Sequence, residues 1–332
     1  MKIKNVFTTI DTHTEGGVTR IITSGVPKLS GKTITEKVES FRREFDGVRK
    51  LLMCEPRGHR DMYGAVITES TNPQADIGVF FLKYSGYLDM CVHGAMGVAA
   101  AGLETGFIAK RPGNAIRLET PAGLFSVRTK RGGLKPEPVT LQTNPIFVHT
   151  EEAGLDVGLK RPIPISIVFS DVFFVLTDAK KLNLKVMKEN VGKLREVGMK
   201  IVELANQSFT VYHPDNPNIH TLEAVIFSDD IGKRHGLNIM ISRKGGIDWS
   251  PCGAGTGAKM THLFVSNRLR LREDYVNQSL IGTKFTGRLI QRVKVGPYKG
   301  AVAEITGSTY ITGIHQFLID EDDPFGEGFS LG

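Results

Sequence analysis

The sequence predicts a mixed α/β protein, of the α+β kind, that is built from two similar halves. Its 332 residues are too many for one ordinary hydrophobic core and suit two domains of roughly 150 residues each. Cys91 and Cys252 each lead a segment rich in glycine and alanine, and they lie 161 residues apart, about half of the chain. Strand-like segments punctuated by glycine surround both. Two lobes with a cleft between them are therefore expected.

The first half has the pattern of strands that surround two helices. Strand patterns at 6–11 and 19–23 flank a glycine pair, as in a hairpin. Residues 33–53 carry apolar residues among dense charges and predict an amphipathic helix, which a loop at 54–61 follows. The other expected elements are strands near 64–68, 75–82, 116–119 and 124–128, and a helix from residue 91 to about 103.

The second half repeats this plan. Residues 185–205 have apolar residues at helical spacing and correspond to the helix at 33–53, which supports a duplication. Polar, glycine-containing residues 129–133 predict the crossover. We therefore expect a first domain at 1–130, completed by a C-terminal strand at 310–332, and a second domain at 131–309. Strands of the second half are expected near 139–142, 163–176, 225–227, 237–241, 282–288 and 301–305.

Composition excludes several classes of protein. The net charge is +7, but lysines and arginines are scattered among 35 acidic residues without a basic run interleaved with aromatics, so no nucleic-acid partner is expected. No apolar run approaches the ~18 residues of a membrane span, and the N-terminus lacks a signal-peptide pattern. Three cysteines, an odd number, indicate free thiols in a reducing compartment. A cytoplasmic protein without a membrane partner is expected.

The two cysteines at helix starts indicate proton-transfer chemistry. A helix N-terminus presents unpaired N–H groups and a partial positive charge, so it binds a carboxylate and favours the thiolate form of a cysteine. Two such ends at one cleft would hold one carboxylate and place a sulfur on either side of the adjacent carbon. One thiolate could then remove a proton while the other thiol delivers one to the opposite face. The glycines at 94, 97, 253, 255 and 257 would let the backbone approach that ligand.

Other interpretations of these residues compete with this one. A zinc site from Cys91, Cys252, His59 and His93 lacks the usual ligand spacing. A nucleophilic pair of Cys91 and His93 would leave Cys252 unexplained. Because His93 lies two residues after Cys91, a helical geometry would turn its ring away from the sulfur, and we expect it to contact a ligand. Asp248 is either a turn residue or, as we prefer, a binding group for a substrate ammonium.

Several polar residues and the third cysteine have simpler explanations. Cys54 has no glycine-rich helix behind it and is expected to be a small buried hydrophobic residue. A further set of polar side chains is either ligands or loop and capping groups, and the residues alone leave both readings open. These residues are Asp11, His13, Glu55, His59 and Asp61.

The motifs of this chain resemble those of the proline racemase and hydroxyproline 2-epimerase family. The likeness runs nearly from end to end, and the two cysteine motifs are highly specific. The matching segments are Asp11-Thr-His-Thr-Glu-Gly-Gly17, Glu55-Pro-Arg-Gly-His59, Met90-Cys-Val-His-Gly94, Asp248-Trp-Ser-Pro-Cys-Gly-Ala-Gly-Thr256, Ile281-Gly-Thr-Lys-Phe-Thr-Gly-Arg288 and Tyr310-Ile-Thr-Gly-Ile-His-Gln-Phe317.

The resemblance implies a diaminopimelate epimerase-like fold, in which each domain wraps a sheet around a central helix. It implies that Cys91 and Cys252 are the two acid/base catalysts and that proline or hydroxyproline is the small-molecule substrate. Neither a cofactor nor a metal is implied, and a homodimer is expected. The expected binding groups are the backbone amides of Val92, His93, Gly253 and Ala254 for the carboxylate, and His93 with Asp248 for the ring nitrogen.

Departures from the family pattern bear on the choice of substrate. Val92 stands where the family usually has glycine, and Ser170-Asp171 stand near a position where many members carry a glycine pair. Gly94 resembles the hydroxyproline-epimerising members. A related branch, the trans-3-hydroxyproline dehydratases, has threonine in place of the second cysteine, so Cys252 argues against dehydration. A dehydratase and a non-catalytic protein that binds a cyclic amino acid are the two alternatives.

Overall fold

The computed structural model describes residues 2–109, 115–129 and 138–330. The chain divides into two compact units, Met1–Leu141 with Ser308–Gly332, and Gln142–Gly307. The expected domain boundary at 130/131, with most of the expected crossover at 129–133, lies outside the described residues. Each unit combines helices with a sheet, and the predicted mixed α/β class is therefore confirmed.

The first unit has two helices, α1 (Ile34–Met53) and α2 (Val92–Thr105), among its described residues. Its strands are β1 (Ile3–Thr14), β2 (Gly17–Ser24), β3 (Tyr63–Thr68), β4 (Ile77–Lys83), β5 (Gly86–Leu88), β6 (Ala115–Thr120), β7 (Gly123–Thr129) and, at the division between the units, β8 (Pro138–Gln142).

The second unit has the helices α3 (Val191–Ser208) and α4 (Gly253–Val265), with short 3₁₀ turns at Ala179–Leu182 and Lys188–Asn190. Its strands are β9 (Ile146–Leu155), β10 (Ile163–Ser170), β11 (Val172–Asp178), β12 (Leu222–Ser228), β13 (His235–Ser242), β14 (Ile247–Asp248), β15 (Asp274–Ser279), β16 (Lys284–Val295) and β17 (Tyr298–Asp320). The part of β17 from Ser308 onward belongs to the first unit.

The two units repeat one order of strands and helices. In the first, β1–β2, β3–β4, β4–β5 and β6–β7 pair antiparallel, while β2–β3 and β4–β6 pair parallel. In the second, β10–β11, β12–β13, β13–β14 and β15–β16 pair antiparallel, while β11–β12 and β13–β15 pair parallel. One helix connects the first parallel pair and one connects the second, in both units. The predicted duplication is confirmed at this level.

The connecting helices α1 and α3 are amphipathic, as their sequences predict. In α1 the Thr33 side chain accepts a hydrogen bond from the Glu36 N–H, which satisfies a free donor of the first turn, and Phe41 is fully buried. In α3 the helix begins at Val191 rather than at Lys185. The Asn190 side chain donates to the Lys185 carbonyl and closes a turn before the helix.

The helices α2 and α4 consist mainly of glycine, alanine and larger apolar residues, and most of their residues are buried. A helix of this composition is stable only when it is surrounded. In the first unit α2 packs against β1, β2, β3 and β7, and in the second α4 packs against β9, β10, β11 and β16. Each is therefore the central helix of its unit. Among the described helices, none is long and apolar enough to span a membrane.

Candidate active site

Cys91 occupies the N-cap of the central helix α2 of the first unit. Its backbone is extended, with φ −147° and ψ 109°, and its carbonyl accepts the first helical hydrogen bond from the Ala95 N–H at 2.8 Å. The side chain is 7% exposed. The sequence therefore folds as expected here, with the thiol at the point where the helix dipole is positive.

His93 contacts the sulfur of Cys91, which corrects the expectation that its ring turns away. The Sγ of Cys91 lies 3.5 Å from Nε2 and 3.7 Å from Nδ1 of His93. The expectation treated Cys91 as a helical residue, for which a separation of two gives opposite directions. Because Cys91 is an extended N-cap residue, that spacing rule does not apply to it.

The surroundings hold His93 firmly in this position. The Thr14 hydroxyl donates to the His93 carbonyl at 3.0 Å, which ties the first turn of α2 to β1. The Tyr63 ring meets the imidazole edge to face, with ring centroids 4.7 Å apart. His93 is 3% exposed. Tyr63 lies outside the motifs noted in the sequence, and Thr14 lies in the segment Asp11–Gly17 but had no role assigned to it.

Cys252 occupies the N-cap of α4 but in a different backbone conformation. Its φ is +58° and its ψ is 101°, a backbone conformation that residues other than glycine seldom adopt. The Sγ accepts a hydrogen bond from the Gly255 N–H at 3.3 Å, and the carbonyl accepts one from the Thr256 N–H at 2.7 Å. Hydrogen bonds from backbone N–H groups favour the thiolate form of a cysteine over the thiol.

Asp248 is linked to Cys252 through Ser250. The Asp248 Oδ1 accepts hydrogen bonds from the Ser250 N–H at 2.9 Å and from its hydroxyl at 2.7 Å. The Ser250 Oγ in turn accepts the Cys252 N–H at 3.1 Å. Both Asp248 and Ser250 are buried. The turn role that the sequence left open for Asp248 is therefore present, and it places a buried carboxylate four residues before Cys252.

The N-terminal end of each central helix, directly after Cys91 and Cys252, carries the backbone amides that the sequence analysis assigned to a carboxylate. Val92 and His93 begin α2, and Gly253 and Ala254 begin α4. The first N–H groups of a helix have no acceptor within the helix. Neither first turn contains an acidic residue, so the partial positive charge of each helix end is not neutralised from within. These ends are suited to a carboxylate.

The glycines in the two helices allow close packing within each unit, in addition to the approach to a ligand that the sequence suggested. A Cβ at Gly97 would lie 2.7 Å from the Thr12 hydroxyl, and one at Gly257 would lie 2.5 Å from Ile146. A Cβ at Gly94 would meet the Phe81 ring at 2.9 Å, and one at Gly255 would meet the Cys252 sulfur at 3.0 Å. The helices thus lie close to their own sheets because these positions have no side chain.

Cys54 has the surroundings of a structural residue. It ends α1, where its N–H donates to the Lys50 carbonyl at 3.0 Å, and it is 7% exposed. A Cβ on Gly328 would lie 3.2 Å from its Cβ, so the C-terminal segment packs over it. Burial raises the pKa of the Cys54 thiol. The expectation of a small buried hydrophobic residue agrees with this environment.

Asp11 is a partner of Arg20. The Arg20 guanidinium donates to both Asp11 carboxylate oxygens, at 2.9 to 3.2 Å, and its Nη1 donates to the Leu52 carbonyl at 2.9 Å. Its face lies 4.4 Å from the Phe317 ring centroid. The pair joins β1, β2 and the end of α1. Of the two readings left open for Asp11, the structure favours the one in which it supports the fold.

His13 has partners within the first unit. The His13 ring stacks on Tyr310 with centroids 5.0 Å apart, and its Nδ1 accepts the Gly16 N–H. Within residues 2–109, 115–129 and 138–330, no group of three or more His, Cys, Asp or Glu side chains is arranged to hold a metal ion. The zinc interpretation therefore gains no support from the described side chains.

Comparison with known proteins places this geometry in context. The sequence profile of the proline racemase family matches residues 9–330. The chain is similar to a proline racemase of Acetoanaerobium sticklandii, with 38% identity over 335 residues and all of both chains covered. It is also similar to a 4-hydroxyproline 2-epimerase of Streptosporangium roseum, with 37% identity over 337 residues and full coverage of both.

A solved structure also resembles this chain over its whole length. It is the crystal structure of a hydroxyproline epimerase from Agrobacterium vitis with bound trans-4-hydroxy-L-proline. The TM-score is 0.90 at 28% sequence identity, and the match covers 100% of this chain and 97% of that one. The fold described above is therefore shared with that epimerase.

Proposed function

Because the chain belongs to the proline racemase family, we propose that it is an isomerase that inverts the α-carbon of proline, 4-hydroxyproline or both without a cofactor. The observation that carries this proposal is the presence of a buried cysteine at the N-cap of the central helix in each unit, Cys91 and Cys252. A dehydratase of the related branch would need only one of these thiols.

In the proposed mechanism the two thiols work on opposite faces of one substrate. The cysteine in the thiolate form removes the α-proton, and the other, as a thiol, donates a proton to the opposite face of the planar carbon. The roles are exchanged in the reverse direction. Each turnover leaves the first cysteine protonated and the second deprotonated. Before the next substrate of the same hand can react, the first cysteine must lose a proton to solvent and the second must take one up.

The substrate carboxylate is assigned to the helix starts. The amides of Val92, His93, Gly253 and Ala254 are the proposed donors, since N–H groups of first turns have no acceptor within their helices. These hydrogen bonds stabilise the negative charge that develops when the α-carbon is deprotonated, because that charge spreads onto the carboxylate. The α-proton of an amino acid is a weak acid, and this stabilisation supplies much of the rate.

Asp248 and His93 are assigned to the substrate nitrogen. Asp248 is buried, and Ser250 fixes one of its oxygens. A carboxylate held in this way suits a secondary ammonium, which proline and 4-hydroxyproline both carry. His93 also contacts the Cys91 sulfur, so in this proposal the imidazole lies between the nitrogen of the substrate and one of the bases.

The proposal is tested by incubating the protein separately with L-proline and with trans-4-hydroxy-L-proline. Chiral chromatography should detect D-proline or cis-4-hydroxy-D-proline, and EDTA should not affect either rate. A third incubation with trans-3-hydroxy-L-proline examines the dehydratase alternative through loss of one water by mass spectrometry. Formation of the dehydrated product without inversion of the other two substrates would contradict the proposal.

We also propose that two copies of the chain form a homodimer through an apolar surface of the first unit. Large apolar side chains are exposed on β1 and on the part of β17 that pairs with it: Val6 lies opposite Leu318, and Ile311 and Ile314 are exposed further along β17. Ile314 is 65% exposed. Exposed apolar patches of this kind mark interaction surfaces. Ile314→Lys should lower the sedimentation coefficient, whereas a monomeric wild type would contradict the assignment.

The cellular location is proposed on the state of the cysteines. Cys54, Cys91 and Cys252 are buried, and none of them forms a disulfide within the part of the chain that the structure describes. Thiols that act as acid and base must stay reduced, and the cytoplasm is the compartment in which they do so. We therefore place the protein in the cytoplasm.

A further inference from the structure

The carbonyl of Pro251, directly before Cys252, is the centre of a buried hydrogen-bond network. It accepts hydrogen bonds from the Asn277 side chain at 3.0 Å, from the Asn238 side chain at 3.1 Å and from the Thr256 hydroxyl at 3.2 Å. Asn277 also donates to the Thr256 hydroxyl at 2.8 Å. The two asparagines are 1% and 3% exposed, respectively. Three donors on one carbonyl hold the peptide plane before Cys252 in one orientation.

The residue that follows this plane has the strained backbone. A non-glycine residue at φ +58° and ψ 101° is strained, and this conformation persists only where the surrounding structure holds it. Asn277 lies on β15 and Asn238 on β13, two parallel strands, with Gly236 opposite Asn277 and Asn238 opposite Ser279. The two asparagines are therefore anchored on the sheet, and Thr256 connects the network to α4.

The strain has a consequence for the sulfur. With this backbone, the Sγ of Cys252 lies 3.3 Å from the Gly255 nitrogen and accepts its N–H. Cys91, at the equivalent helix start, has an extended backbone and no side-chain capping hydrogen bond. The two thiols are thus placed by different means, and only Cys252 depends on a strained backbone.

We propose that Asn277 and Asn238 are positioning residues that hold Cys252 in its strained conformation and keep its sulfur on the Gly255 N–H. They act through the Pro251 carbonyl and do not touch the substrate. The effect on the sulfur is independent of the proposed function. The expected effect on turnover rests on Cys252 being one of the two bases.

The test measures the reactivity of each cysteine in the intact protein. Asn277→Ala and Asn238→Ala are treated with iodoacetamide across a range of pH, and peptide mass spectrometry follows Cys252 and Cys91 separately. Loss of the Gly255 hydrogen bond should move the pH midpoint of Cys252 alkylation upward by roughly one unit in Asn277→Ala, since that hydrogen bond stabilises the thiolate over the thiol. The midpoint for Cys91 should not move.

Asn206→Ala is the matched control. Asn206 lies in the same unit and also donates to two carbonyls, those of Val202 and Leu222, at 2.9 and 3.0 Å. Its loss should lower the melting temperature without any effect on Cys252. For racemisation, Asn277→Ala should lower kcat by roughly tenfold to a hundredfold with little change in KM, as small misplacements of a catalytic group do.

The possible results distinguish the positioning role of the two asparagines from the proposed isomerase function. The positioning role would be overturned if the pH midpoint of Cys252 alkylation did not move in either asparagine variant. In that case Asn277→Ala would lower only the melting temperature, as Asn206→Ala does. If Asn277→Ala does not fold, Asn238→Ala decides, because Asn238 donates to the Pro251 carbonyl whereas Asn277 also donates to the Thr256 hydroxyl. A shifted midpoint in a wild type that inverts neither substrate would support the positioning role and contradict the proposed function.

Discussion

The Cys91 sulfur lies 3.5 Å from the His93 Nε2, and both side chains are buried in the first unit. The equivalent sulfur of the second unit, that of Cys252, is instead 3.3 Å from a backbone nitrogen, that of Gly255. Two halves with the same order of strands and helices therefore give their thiols different neighbours. The Cys91 thiol therefore contacts an imidazole, and the Cys252 sulfur accepts a backbone N–H.

This difference predicts that His93→Asn alters only Cys91. The pH profile of Cys91 alkylation should change, because an imidazole that can take or give a proton is replaced by an amide that cannot. The profile of Cys252 should not change. Peptide mass spectrometry of iodoacetamide-treated protein measures both at once, and His59→Asn, on an exposed loop residue, is the control. Equal changes at both cysteines would argue against a specific contact.

Cys54→Ser should leave racemisation intact. Burial raises the pKa of this thiol, and it lies at the end of α1 under the C-terminal segment, so little thiolate forms at neutral pH. Titration of the native protein with a thiol reagent should show slow modification of Cys54 in wild type. The kcat of Cys54→Ser, measured by chiral chromatography, should lie within twofold of wild type. A larger loss would give Cys54 a role that the structure does not suggest.

Asp11→Asn should destabilise the protein through Arg20. The guanidinium is buried, and its charge would lose the carboxylate that compensates it, which costs about 3 kcal/mol when a buried pair is broken. Chemical unfolding measures this loss. Glu69→Gln is the control, since Glu69 pairs with Lys28 on the surface, where both side chains are exposed. Equal loss in the two variants would contradict the account.

The lowered pKa of His262 predicts that the free energy of unfolding falls in mild acid. Burial, with Arg268 and Lys259 nearby, lowers its pKa to about 4, and its Nε2 lies 3.1 Å from the Ser166 hydroxyl. Because the folded pKa is below the unfolded value, the unfolded chain takes up the proton first. The contribution to stability is complete above about pH 6.5 and is lost as the pH falls toward 4.

The measurement compares the unfolding free energy of wild type and His262→Gln at pH 7 and pH 5. Wild type should lose about 2 kcal/mol more than the variant over this interval. All other titrating groups are common to the two proteins, so the difference isolates His262. Parallel pH profiles for the two proteins would show that the imidazole titrates normally.

The sequence predicted the repeated plan because the same pattern, a cysteine followed by a segment rich in glycine and alanine, occurs once in each half of the chain. It also predicted the family, which the comparisons confirm. Cys91 and Cys252 each precede a segment of small residues, so they lie where the helix begins. The composition of these segments also predicts that each helix is surrounded by its sheet. The helix at 33–53 was predicted to within one residue, since its apolar face and its Thr33 cap are both local features.

Other features depend on backbone conformations that composition does not indicate. The contact between His93 and Cys91 arises because Cys91 is extended, and the spacing of two residues gave the wrong direction. The strain at Cys252 depends on Asn238 and Asn277, which lie 14 and 25 residues away in ordinary strands. No local motif marks these asparagines. Only pairing of β13 with β15 brings their side chains to the Pro251 carbonyl.

The most direct test of the account compares Cys91→Ser and Cys252→Ser with wild type. Optical rotation follows each enantiomer of proline and of 4-hydroxyproline, and the melting temperature verifies folding. A serine hydroxyl is a far weaker acid and base than a thiol, so inversion should fall by roughly 10²- to 10⁴-fold in each variant and in both directions. A folded variant of either kind that inverts its substrate at nearly the wild-type rate would contradict the two-thiol assignment.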